Sequence, residues 1–143
     1  MTLTQQLLWG SLYLGACLAL QIVFMIGGSV YLNRISERLN SVHKTLHNSA
    51  LLSIALVLIV VSHTIQVWLW ASVFVLNDVL ADWNSAVYFS LVTYTALGYG
   101  DIVLGPGLRI FAAFASVTGL LAFGISTAFL VALMGRIFSL RSD

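Results

Sequence analysis

Thr93-Tyr94-Thr95-Ala96-Leu97-Gly98-Tyr99-Gly100-Asp101 is the stretch on which the reading of this chain turns. It is polar, punctuated by glycine, and set between long apolar segments. Backbone that is neither helix nor closed sheet is tolerated at membrane depth only where protein buries it or water reaches it. Gly98 and Gly100 flank one aromatic residue, and both can take backbone angles closed to residues with a Cβ. Successive carbonyl oxygens of such a loop can therefore turn toward one side.

The surroundings of the loop are lipid-like. The 143 residues are 60% hydrophobic and only 8% charged, with mean hydropathy +1.01. Soluble domains carry about 25% charged residues, so this chain is expected to be solvated by a bilayer. A formal net charge of +1 without a dense basic run excludes a nucleic-acid footprint. Cys17 is the sole cysteine, which excludes an internal disulfide; a small apolar packing residue is its simplest reading.

Upstream of the loop, Asn84 or Ser85 can cap a short helix that runs through Ala86 to Thr95. At about 11 residues, or some 16 Å, it is too short to cross a bilayer. It enters, stops and hands the chain to the loop, its negative dipole end favouring a cation there. Before it, residues 50 to 76 form an apolar span with Ser62, His63, Thr64 and Gln66 near its middle. An ionisable group inside a membrane is by default a functional candidate, so His63 has two readings. It is a proton-sensitive element, or a neutral imidazole hydrogen-bonded to the first helix at Gln21, the reading preferred here.

The first apolar run, residues 7 to 32, carries no charge. It is roughly 39 Å long as a helix, enough to cross, and it lacks the basic start of a signal peptide. Between 33 and 48, Arg34, Glu37, Arg38 and Lys44 alternate with Ile35, Leu39, Val42 and Leu46 at helical spacing. This predicts an amphipathic helix at the interface or a continuation of the first span. His43 and His47 share a face there, but with no third ligand nearby they read as solvated histidines. After the loop, Pro106 marks the start of a third span over 108 to 134. The organisation expected is 1–49 for the first helix and linker, 50–135 for the pore unit, and 136–143 for a tail too short for a ligand-binding domain.

The short helix and loop together resemble potassium channels. Tyr88-Phe89-Ser90, Thr93, Thr95 and Gly98-Tyr99-Gly100-Asp101 fall in register with the pore helix and selectivity filter of that family. Gly119-Leu120-Leu121-Ala122-Phe123-Gly124-Ile125-Ser126-Thr127-Ala128 resembles the inner helix of its bacterial two-span members. The likeness covers residues 50 to 135. It implies an all-α membrane protein with three spans, a re-entrant pore helix and a filter loop, assembled as a homotetramer among membrane lipids. Backbone carbonyls of Thr95, Ala96, Leu97, Gly98, Tyr99 and Gly100 would stand in for the hydration shell of K+. Tyr88, Phe89, Val92 and Asp101 would support that filter. Gly119 would match a hinge, with close packing as its other reading, and Leu120, Phe123, Thr127 and Val131 would face the central cavity.

The sequence departs from the family at two places that matter. Ala96 stands where the family has threonine, whose hydroxyl completes the innermost ion site. Val92 stands where some members have a glutamate that braces the filter near the Asp101 equivalent, so support must come from other contacts, such as Tyr99 against Tyr88 and Phe89. Charge gives an independent test of topology. With the filter and N-terminus outside, Arg34, Arg38, Lys44, Arg136 and Arg141 lie inside and only Arg109 outside, as the positive-inside rule requires.

The expected activity is passive potassium conduction in the cell membrane, with no cofactor, small-molecule substrate or nucleic-acid partner. The alternatives are a weakly selective cation channel, on account of Ala96, and a non-conducting channel-like subunit. No paired carboxylates, nucleophile–base arrangement or metal cluster suggests an enzyme.

Overall fold

The computed structural model describes residues 1–38 and 44–139. Among them it is all-helical: α1 (Leu3–Arg38), α2 (Lys44–Leu76), α3 (Trp83–Tyr94) and α4 (Arg109–Ser139). Three of these, α1, α2 and α4, are long and apolar enough to cross a bilayer. The chain is thus an all-α, multi-pass membrane protein. With 12 residues, α3 measures about 18 Å and cannot span.

Element boundaries differ from those expected in instructive ways. Of the two readings of 33 to 48, the described residues follow the continuation: 33 to 38 extend α1, and Lys44 to Asn48 already belong to α2. His43 lies outside the described residues, while His47 Nε2 meets Ser36 Oγ at 3.0 Å and so ties the ends of α1 and α2. The cap of α3 is Asp82 rather than Asn84 or Ser85. Asp82 has extended backbone (φ −139°) and accepts the Ser85 amide, the geometry a capping residue needs. Pro106 sits in the turn closed by Leu108 N–H to Gly105 C=O, and α4 starts three residues after it.

α1 and α4 run parallel in one register, which follows from where their small and polar residues meet. At one end Gln6 Oε1 accepts the amides of Ile110 and Phe111 at 3.2 and 3.3 Å, satisfying two of the donors a helix start leaves open. One turn on, Gly10 gives room for the Phe114 ring. At the other end Arg136 donates to Asn33 Oδ1 at 3.1 Å. Met1 lies beside Gly107, so the N-terminus and the loop after α3 share one side of the molecule.

Two apolar clusters hold the rest. Trp70, Phe74, Phe89, Tyr94, Phe111 and Cys17 form the larger one, near the loop; Phe74 meets Phe89 and Phe111 edge-on at 5.2 and 6.1 Å, an arrangement that aromatic quadrupoles favour. Leu32, Leu51, Ala55 and Ile137 close the opposite end.

Candidate functional site

The loop begins as a helix termination. Ala96 N–H donates to Thr93 C=O at 2.9 Å and Leu97 N–H to Val92 C=O at 3.0 Å. These are the paired bonds of a Schellman cap, whose penultimate residue must be left-handed. Ala96 fills that position with φ 57°, where glycine is usual. Gly98 N–H also reaches Val92 C=O, at 3.2 Å. Val92 therefore braces the loop through its backbone, although its side chain has no carboxylate to offer.

Positive φ recurs at every second residue: Ala96 at 57°, Gly98 at 57° and Gly100 at 77°, with Leu97 and Tyr99 between them on the ordinary side. Residues 95 to 101 are all exposed on the single chain, Tyr99 to 68%. Within the single chain Tyr99 is therefore largely uncovered. Phe89 is buried against Phe74, and the Tyr88 hydroxyl donates to Asp101 Oδ2 at 2.6 Å. That bond holds the Asp101 carboxyl below the usual carboxylate range, because it favours the charged form. Asp82 is likewise held low by the Ser85 amide it caps.

Behind the loop, α3 rests directly on α4. The Ser116 hydroxyl donates to Thr93 C=O at 2.7 Å. At Gly119 a Cβ would collide with the Tyr94 carbonyl, so this glycine allows α3 and α4 backbones to touch. The close-packing reading of Gly119 thus has a structural basis. Leu120, Phe123, Thr127 and Val131 all lie exposed on α4, on the surface the single chain leaves uncovered. Thr127 bonds back to Phe123 C=O at 2.9 Å, and the Phe123 ring stacks against His63 at 4.5 Å.

His63 belongs to a buried polar group at the middle of the bundle. Its Nδ1 meets Tyr94 Oη at 2.7 Å and its Nε2 meets Ser126 Oγ at 3.0 Å. Gln21 Nε2 donates to Ser126 Oγ at 2.8 Å, Gln66 Nε2 to Gln21 Oε1 at 2.6 Å, and Tyr94 Oη to Gln66 Oε1 at 3.3 Å. Gln21 is thus one bond removed from His63 rather than its direct partner. Sequence reasoning missed Ser126 and Tyr94 as members; the matching mid-span positions of Gln21 and Gln66 were the available signal. Among the described residues no cluster of three metal-ligating side chains occurs.

Residues 54–136 match a family model described as "Ion channel". That is more than half of the chain, and it includes α3, the loop and α4 up to Arg136. The protein belongs to this ion channel family. Comparison with curated proteins and with solved structures returns no match.

Proposed function

We propose that the protein is a potassium-selective channel that conducts passively through a homotetrameric pore. The observation that carries this reading is the alternation of backbone hand over Ala96–Gly100, at the end of a helix too short to cross. Alternating positive and negative φ turns successive peptide planes alike, so carbonyls can line one side of the strand. One chain provides one such strand. Four copies about an axis would complete oxygen rings able to replace the hydration shell of K+. The exposure of residues 95 to 101 and of Leu120 and Val131 on the single chain fits surfaces meant for a shared axis and cavity.

The filter is read as facing outward. The N-terminus then lies outside with it, and Arg34 and Arg136 lie inside with the other basic residues of the C-terminal and linker segments, in the cell membrane. Ala96 supports a second reading, weak cation selectivity, since four missing hydroxyls lower ion occupancy at the inner end while the carbonyls of Leu97, Gly98 and Tyr99 remain.

Purified protein in vesicles with opposed potassium and sodium gradients tests the proposal. A reversal potential near that of potassium is expected. Equal permeability to both ions would favour the second reading, and a tetramer without flux would favour a non-conducting subunit.

A further inference from the structure

The five polar side chains at mid-bundle come from all four helices: Gln21 of α1, His63 and Gln66 of α2, Tyr94 of α3 and Ser126 of α4. Gln21 and Gln66 are fully buried, and Tyr94 and Ser126 nearly so. Each touches the next, and the last touches the first. Such a cycle can be satisfied throughout only if its donors all point the same way round.

With the Gln21 and Gln66 amides oriented as they stand, the protons have one consistent arrangement. Tyr94 has a single hydroxyl proton, and Gln66 Oε1 accepts it. Tyr94 Oη must then accept from His63 Nδ1–H. A neutral imidazole has one N–H, so its Nε2 accepts, and the proton comes from Ser126. Ser126 Oγ accepts in turn from Gln21 Nε2, and Gln21 Oε1 accepts from Gln66 Nε2. If Tyr94 instead gave its proton to His63, Gln66 Oε1 would be buried with no donor from the cycle, a state native interiors avoid.

Tyr94 is the member that matters for the loop. It is the last residue of α3, next to the Thr93 and Val92 carbonyls that receive the Ala96, Leu97 and Gly98 amides. Its own carbonyl is pressed against Gly119. We infer that Gln21, His63, Gln66, Tyr94 and Ser126 form a one-way ring of hydrogen bonds by which the first helix positions the filter end of α3. The positioning role rests on the filter reading above; the ring itself does not. Gln21 and Ser126 are positioning residues that act through Tyr94.

The test uses the full chain in lipid bilayers, with 15N in its histidine rings. The His63 signal, assigned by its loss in His63→Asn, is expected at neutral pH as a neutral ring protonated on Nδ1. Protonation on both nitrogens overturns the ring, and protonation on Nε2 alone overturns the direction given to it. Hydrogen exchange at the Leu97 and Gly98 amides reads the positioning. Ser126→Ala and Gln21→Leu are each expected to speed it by about five- to tenfold, the equivalent of one lost hydrogen bond. Ser126→Thr, which keeps the hydroxyl, is expected to match the parent, and the double variant to be no worse than either single one. Unchanged exchange in Ser126→Ala, the mildest deletion, overturns the positioning role. Potassium flux through the parent decides the channel reading separately, because neither the ring-nitrogen signal nor the exchange rate depends on it.

Discussion

The Tyr88 hydroxyl donates a 2.6 Å hydrogen bond to Asp101 Oδ2, joining the second turn of α3 to the residue that follows the Gly98-Tyr99-Gly100 loop. The two lie 13 positions apart, and the bond closes the whole loop between them. Tyr88→Phe removes only the oxygen. If the loop is the proposed potassium filter, the expected result is selectivity that is lost more readily at low potassium, measured as a drift in reversal potential during sustained flux.

The same bond makes a pH prediction. The Asp101 carboxyl is held low mainly by Tyr88, so it binds a proton less readily folded than unfolded. Its stabilisation is complete above the ordinary carboxylate range and is lost as pH falls through its lowered value. Carboxyl carbon shifts across an acid titration should place Asp101 lower in the parent than in Tyr88→Phe. Coincident titrations in the two proteins would remove the Tyr88 contribution.

Gly119 and Gly124 should behave oppositely when changed to alanine. A Cβ at Gly119 meets the Tyr94 carbonyl, whereas one at Gly124 would meet no other packing element among the described residues. Gly119→Ala should cost about 1–3 kcal/mol by overpacking, while Gly124→Ala should gain about 0.5–1 kcal/mol of helix stability. Unfolding midpoints in detergent, followed by circular dichroism, separate the two.

Ala96 holds a left-handed backbone, φ 57°, that costs a residue with a Cβ about 1–2 kcal/mol. Ala96→Gly should therefore raise the unfolding midpoint. Ala96→Thr should lower it, since β-branched residues are least suited to positive φ. If the proposed ion site is correct, Ala96→Thr should also raise ion occupancy and flux at the inner end. Stability and flux moving in opposite directions is the signature to look for.

Gln6 closes the start of α4 through its side-chain oxygen. Gln6→Ala leaves two amides without that acceptor and should cost about 1–3 kcal/mol. Gln6→Glu, which keeps an acceptor, should stay closer to the parent in the same unfolding measurement.

Much of this molecule was legible beforehand because lipid demands long apolar runs and glycine marks unusual backbone. The three spans, the short α3 and the freedom at Gly98 and Gly100 followed from those two constraints. Ala96 did not, because a Schellman cap normally announces itself with glycine, and alanine gives no such sign. The α3 cap reads from the sequence as Asn84 or Ser85, a reading that passes over Asp82, an equally competent capping residue just before them. Only the extended backbone at Asp82 separates it from the others. The hydrogen bonds of Ser126 were hidden for a different reason: its partner Gln21 is 105 positions away, and a lone serine in an apolar helix usually satisfies itself on its own backbone.

The constant offset between α1 and α4 has a mechanical consequence. Gln6 with Ile110, Gly10 with Phe114, Gln21 with Ser126 and Asn33 with Arg136 are engaged at the same slip, so displacing one helix along the other by a turn, about 5.4 Å, would part every pair together. The two helices therefore behave as one stiff two-ply plank. A push along either ply is delivered to the other over its entire length.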